Sequence, residues 1–406
     1  MSFDKNSTNR AALASLILGR VVYAINWLNI AAIFSLIAYE FQQDISGLGL
    51  ITATFYIGVG AFQVLGGILA AKRGPRLTVI YGTTIASVSA LLTGFARNLA
   101  EMAVLRFLVG AGMALVFAPA IVLVIRFLRK GSEGLGVGTY NSAFSLGGVI
   151  GLSGWAALAA GLGWRSSLVI SGSLGLVTSL LLVLFTPKDN LRSDFQIDLH
   201  CLKLILSNRL LIVLSIALLG FSVGSVVVQN FMAYYLESVC NVGVGEAGAI
   251  ASLVAASAFV IGPLSGRVFD RFKNVKRLLL MTGVVMAVGI GIAFIGTLYS
   301  AMTSSVCVGL ASGAGMTFGF AAAREANKLD SEYDTLAVSW VNSLSLSGSF
   351  VSPLLFSYLV IRFGYGYAWL CIALLAFLLI LPVFFSGVSA RRGIQQYSRV
   401  NNETTD

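Results

Sequence analysis

Long apolar stretches, broken by short polar ones, set the rhythm of this chain. Crossing the hydrocarbon of a bilayer as a helix takes about 20 apolar residues. Twelve segments reach that length: 11–39, 47–71, 76–96, 101–128, 135–161, 166–187, 208–237, 246–269, 277–298, 300–323, 335–361 and 366–388. They predict an all-α integral membrane protein of twelve transmembrane helices. The basic residues test the count. With the N-terminus in the cytoplasm, 22 of the 27 lysines and arginines fall in inner loops or tails. Arg97, Arg165 and Arg362 fall outside, and Arg20 and Arg106 lie within spans. This asymmetry places both termini in the cytoplasm by the positive-inside rule, since one helix more or fewer would scramble it.

The twelve segments divide six and six around a polar stretch, Pro187 to Arg209. The expected domains are an N-terminal six-helix bundle at 1–187, a cytoplasmic linker at 188–207, and a C-terminal bundle with a short cytoplasmic tail at 208–406. The halves are divergent copies. "VGAGMALVFAPA" (109–120) returns as "SGAGMTFGFAAA" (312–323), with seven of twelve positions identical at an offset of 203. Asn141 pairs with Asn342 and Gly163 with Gly364 at offset 201, and Gly67 with Gly266 at offset 199. Parallel repeats of this kind build two-bundle carriers that hold cargo between the bundles near the midplane. Gly110, Gly112, Gly313 and Gly315 remove bulk where helices approach, either as fixed packing or at a moving contact.

Composition narrows the function classes. The chain is 57% hydrophobic and 11% charged, against about a quarter charged in soluble proteins. Its net charge of +10 is spread between apolar spans with no basic stripe, which argues against a nucleic-acid partner. Cys201, Cys240, Cys307 and Cys371 are scattered, and the one histidine, His200, lies in a polar stretch. No hydrolytic triad, metal set or cofactor site assembles, so neither an enzyme nor a bound cofactor or metal is expected. The first apolar segment is too long for a signal peptide and lacks a cleavage site, so it stays as a membrane helix.

Two loops and one helix carry a resemblance. "GRVFDRFKNVKR" after the eighth span holds Gly266, Asp270 and Arg271. "GILAAKRGPR" after the second holds Gly67, Lys72, Gly74 and Arg76. Both resemble the G-x-x-x-D-R/K-x-G-R-R/K loop of the major facilitator superfamily. "RFLVGAG", with Arg106, Gly110 and Gly112, is similar to that superfamily's R-x-x-x-G-x-G element. The resemblance implies gating roles for Gly67, Lys72, Arg76, Gly266, Asp270 and Arg271. The first copy departs from the pattern: Ala71 replaces the acid and Pro75 a base. Plain positive-inside topology is the other reading for Lys72, Arg73 and Arg76, and the simpler one. The fifth span lacks the Gly-Pro pair of the superfamily's drug antiporters. The fourth also resembles the organic-anion (anion:cation symporter) branch, whose R-x-x-x-G-x-x-E matches at Arg106 and Gly110, with Pro119 following, but has Met113 in place of the acid. That branch's acid–arginine pair in the first span has no match at Arg20.

Two arginines at membrane depth point to the cargo. A charge at mid-bilayer costs on the order of 2.5–3.5 kcal/mol on insertion scales, so such groups face a cavity or a partner. The spans offer no interior carboxylate: Glu40, Glu101, Glu237 and Glu246 sit at outer helix ends, Asp270 and Glu325 at inner ones. An anion carried by the substrate would suit the planar guanidinium fork. The alternatives are that Arg106 bonds carbonyls or reaches the outer surface, and that Arg20 snorkels to phosphate headgroups. Tyr23, Asn26, Trp27 and Asn29 of the first span, Gln229, Asn230 and Tyr234 of the seventh, and Asn141 and Asn342 complete the expected substrate-binding set. Interhelical hydrogen bonding is the other use for these amides.

The expectation is a monomeric, multi-pass cell-membrane carrier for a small organic anion, a carboxylate. Its partners are that substrate and membrane lipid. With no interior carboxylate or histidine to titrate, facilitated diffusion or exchange follows more naturally than proton coupling. Efflux of apolar or cationic compounds is a second reading, and a non-transporting membrane sensor of the same fold is a third.

Overall fold

The computed structural model describes residues 9–128, 133–188, 199–272, 274–326 and 334–386. Among these, every regular element is helical. Eleven helices are long and apolar enough to cross a membrane. They are α1 (Arg10–Leu28), α2 (Ile45–Arg73), α3 (Pro75–Thr93), α4 (Leu99–Phe127), α5 (Gly138–Leu162), α6 (Trp164–Phe185), α7 (Arg209–Val239), α8 (Val244–Phe269), α9 (Val275–Ile295), α10 (Leu298–Ala326) and α11 (Ala337–Phe385). At 49 residues, α11 would extend about 74 Å if straight, over twice the hydrocarbon thickness. It instead reverses at Gly364, whose φ of 82° only glycine adopts readily. The rings of Phe356 and Trp369, on either side of the reversal, are 4.5 Å apart. Gly163, its repeat mate, has φ 80° and separates α5 from α6 in the same way.

Local chemistry sets the other boundaries. Asn9, Asp44, Asn98, Asn208 and Asn274 each accept a backbone N–H in the first turn of the helix they precede, satisfying one orphan donor apiece. Gly74 turns the chain and Pro75 starts α3, where a missing N–H costs nothing. Proline also explains two interruptions, because its ring clashes with the carbonyl four residues back. Pro119 follows the break at Leu115–Val116, and Pro353 the break at Ser349–Phe350.

The expected first span, 11–39, is divided: α1 ends at Leu28 and a short apolar helix, Ala31–Phe41, continues it. Arg106 takes the carbonyls of Asn26 and Trp27, near the end of α1, and the backbone leaves the helical region at Ile33, with φ −126°.

The halves pack alike. In the first, α2 lies on α4, α3 on α4 and α6, and α1 on α5 and α6; in the second, α8 lies on α10, α9 on α10 and α11, and α7 on α11. Outward faces of α3, α6, α9 and α11 carry exposed apolar side chains at helical spacing, such as Ile85, Val88 and Leu92, or Leu370, Leu374 and Leu378. Such surfaces suit lipid tails.

The repeated glycines lie where backbones touch. A Cβ on Gly110 would collide with the Phe55 carbonyl and lie 3.0 Å from the Val59 nitrogen of α2; one on Gly313 would lie 3.0 Å from the Ala258 carbonyl of α8. Phe55 and Ala258 keep the offset of 203, so this contact is duplicated with the sequence. Gly112 and Gly315 diverge: the first meets the backbone of α3, the second the Phe221 ring of α7.

Hydrogen bonds gather Asn9 with Phe127, Arg76 with Val183 and Thr186, Asn208 with Ala326, and Lys276 with Phe384. These mark the end of the molecule that holds both termini of the described chain. The opposite end is stitched by Glu40, which accepts from Arg165 at 2.6 Å and from Trp164 at 2.6 Å, while Arg165 also donates to the carbonyls of Gly94 and Ala96.

Candidate functional site

The halves meet chiefly where α2 faces α11 and α8 faces α5, with α7 beside the short helix after α1. Toward the far end the seam is tight. Gly49 of α2 lies against Pro353 and Ser357, and Gly248 of α8 against Leu152 and Ala156. The Phe34 and Phe231 rings meet across it at 5.9 Å. Midway, a Cβ on Gly148 would lie 3.1 Å from Ala255, and one on Gly60 2.9 Å from the Ser347 hydroxyl. Nearer the termini, positions such as Gly67, Gly138, Gly262 and Gly266 have nothing within 4 Å of a notional Cβ. The interface is therefore closed at the far end and loosens toward the termini.

Asn141, Phe144 and Gly148 share one face of α5, by their three- and four-residue spacing. Gly148 touches α8; Phe144 is half-buried and Asn141 exposed. This face forms a wall where the seam begins to part. Arg20 stands behind it, 6% exposed. Four rings surround its guanidinium: Tyr23 and Phe144 at 4.6 Å, Tyr140 at 4.9 Å and Phe117 at 5.1 Å. Ring faces attract a cation without neutralising it. Nε and Nη1 of Arg20 have no hydrogen-bond partner. Behind Arg20, toward α3 and α6, lies a cavity of about 30 Å³ lined in part by Asn26, Thr83, Ser87 and Thr178, room for about one water.

Arg106 is placed differently. It is 3% exposed, Nη1 donates to Asn26 O at 3.1 Å, Nη2 to Trp27 O at 3.4 Å, and the Phe55 ring covers it at 4.6 Å. Cationic groups are favoured at the carbonyl end of a helix. Arg106 thus holds the end of α1, the carbonyl-bonded alternative open at the level of sequence. Trp27 joins the two arginines through rings, meeting Tyr23 at 5.6 Å, Phe144 at 5.9 Å and Phe55 at 4.7 Å. Its Nε1 donates to Tyr56 Oη at 3.2 Å, and Tyr56 stands beside the Asn230 amide of the other half.

The remaining expected residues separate by role. Asn26 and Asn29 donate to the Ser171 carbonyl and hydroxyl, tying α1 to α6 within one half. Gln229 donates to Ser225 at 2.6 Å and Asn230 to the Val226 carbonyl, both on their own helix. Tyr234 is half-buried. Asn342 is buried with its Nδ2 unpartnered, unlike its exposed mate Asn141. Among the expected gating residues, Arg76 donates to the Thr186 carbonyl at 2.7 Å and the Val183 carbonyl at 2.8 Å, so it caps α6 inside one half. Lys276, 200 positions on, does the same to Phe384 O at 3.3 Å. Lys72 and Arg271 are exposed. The Asp270 side chain lies outside the described residues. Sequence reasoning missed Phe117, Tyr140, Phe144 and Tyr56, because an aromatic in an apolar span carries no mark of what it surrounds.

A family model described as Major Facilitator Superfamily matches residues 16–328. A probable sulfoacetate transporter of Cupriavidus necator is 32% identical over 161 residues, 40% of this chain and 37% of that protein. A sialic acid transporter of Escherichia coli is 30% identical over 197 residues, 48% of this chain and 46% of that protein. The matched stretches span less than half the length of these relatives. Among solved structures, a D-xylose–proton symporter superposes with a TM-score of 0.78 at 15% identity, over 94% of this chain and 98% of that one. That likeness concerns the fold.

Proposed function

This chain belongs to the Major Facilitator Superfamily, so it is a multi-span membrane transporter and not an enzyme, and from that premise we propose that it carries a small organic anion, a carboxylate. It works as a facilitator or exchanger by alternating access. The bundles are residues 1–187 and 208–406, linked by 188–207. The two arms of α11 bring the crossings to twelve, with both termini cytoplasmic in the cell membrane. The conformation described is then inward-facing: the outer seam is closed and the inner one loosened.

The observation that carries the reading is Arg20, a buried guanidinium with two unpartnered N–H-bearing nitrogens behind the wall of the seam. Among the described residues, neither it nor Arg106 is paired with a carboxylate. Burying an unmatched charge is expensive, and a bidentate carboxylate supplies both the charge and the acceptors. The printed names of the relatives, transporters of sulfoacetate and sialic acid, point the same way.

The cycle follows from electrostatics. Closing the inner seam over an empty Arg20 would strip water from a lone cation, whereas closing over a bound carboxylate buries a neutral pair. If the empty carrier closes slowly, exchange outpaces net flux; if the cost is small, the protein is a facilitator. Thermal stability of the purified protein, screened against anions and cations, tests the proposal. Carboxylates should stabilise the wild type and lose their effect in Arg20→Ala. Selective stabilisation by cations, unchanged in that variant, would overturn it.

A further inference from the structure

We propose that Glu237 is a pH-sensitive latch in the outer seam, and that its protonation by external acid holds the seam closed and the carrier inward-facing. This rests on the reading that the far end faces outward, and not on what Arg20 binds. Glu237 sits near the outer end of α7, half-buried. Its carboxyl stands beside the Ser35 hydroxyl of the short helix in the other half, a buried group with no other partner. The Phe34 and Phe231 rings, 5.9 Å apart, hold the same two helices together. Opening the seam at this end therefore parts Glu237 from Ser35 and returns the carboxyl to water.

The neighbours offer a charged carboxylate nothing to offset its burial. Among the described residues, no cation pairs with it. Arg165 is taken up by Glu40, while Arg362 of α11 and Glu246 of α8 are exposed. Tyr234, one turn back on α7, lies within electrostatic reach of both Glu237 and Asp44, the cap of α2. The charge sharing this neighbourhood is thus a second carboxylate. The Tyr365 hydroxyl of α11 is 3.3 Å from that of Ser238, and Tyr235 and Cys240 donate to the Ala293 and Gly296 carbonyls at the end of α9. The Ser35 hydroxyl serves either form, donating to a carboxylate or accepting from a carboxyl. Desolvation and like charge therefore decide, and both disfavour the ionised form. A proton removes that cost of closing, so the closed seam is favoured as external pH falls.

The experiment uses the full-length protein in right-side-out membrane vesicles, with Cys240→Ser to remove the native thiol near the seam. Phe34→Cys, buried in the closed seam, and Arg97→Cys, at an exposed position before α4, are labelled separately by a membrane-impermeant methanethiosulfonate. External pH is set at about 7.5 and at about 5, the lower just above the ordinary carboxyl range. The Arg97→Cys rate corrects for thiol ionisation. The corrected Phe34→Cys rate should fall about threefold or more on acidification, the size of a modest population shift. Glu237→Gln should hold it low at both pH values. Glu237→Met, also neutral, takes its place where the glutamine variant does not fold. A corrected rate that ignores pH, or that falls as far in the neutral variant, would overturn the inference. Failure of Arg97→Cys to react from outside would overturn the topology on which it rests.

Discussion

Gly49 and Gly248 occupy equivalent seats on opposite sides of the seam. They are 199 positions apart, as are Gly67 and Gly266, and Asn9 and Asn208, which cap α1 and α7. The residues they meet, Pro353 and Ser357 against Leu152 and Ala156, are 201 apart. The duplicated sequence therefore builds a duplicated closure at the far end. A bulky side chain at either seat should prop that end open. Overpacking of this kind costs about 1–3 kcal/mol, enough to shift a two-state balance by roughly tenfold or more. In Gly49→Val or Gly248→Val, a cysteine introduced at Phe34 should react faster with a membrane-impermeant thiol reagent from the far side. Unchanged labelling would show that the seats do not set the balance.

The glycines of the repeated phrase should behave otherwise. Gly110 and Gly313 lie on helices of their own half, so valine there strains a bundle and not the seam. Gly110→Val should lower the unfolding midpoint, by about 1–3 kcal/mol of stability, without the labelling change expected of Gly49→Val. Comparing both variants in one assay separates packing from gating, which glycine content alone cannot do.

Arg106 should prove a positioning residue. Arg106→Ala leaves two carbonyls at the end of α1 without their donors, a loss of about 2–4 kcal/mol for charge-assisted bonds. The unfolding midpoint should fall. Carboxylate affinity should fall less than in Arg20→Ala, and Arg106→Lys should recover much of the stability. An Arg106 variant that keeps full stability but loses binding would place it in the site after all.

The far-end stitch predicts a pH dependence. The Glu40 carboxyl is held below its ordinary range, first by the hydrogen bond from Arg165, with help from Trp164. Since the folded value is the lower one, the stabilisation is present above the unfolded value. It is lost as pH falls through the folded one. The pair is exposed, so the effect is about 1 kcal/mol or less. Wild type should be more stable than Glu40→Gln at pH 7, and the gap should close below about pH 4.

The architecture was legible because lipid forces it. Apolar runs, arginine placement and the recurrence of Gly163 as Gly364 are each dictated by the solvent or the backbone. What escaped was what depends on direction. Arg20 and Arg106 look alike in sequence, yet one lies among rings and the other on carbonyls, and only the path of α1 decides between them. Arg76 matched a loop signature but caps α6. The division of the first span lies beside the carbonyls that Arg106 takes, a residue 77 positions from Asn29, and no local signal announced it.

Transport itself tests the central claim most directly. In proteoliposomes, uptake of the radiolabelled carboxylate that most stabilises the wild type should saturate, persist weakly in Arg20→Lys, and fall to the empty-vesicle rate in Arg20→Gln. Wild-type uptake by a folded Arg20→Gln protein would contradict the account.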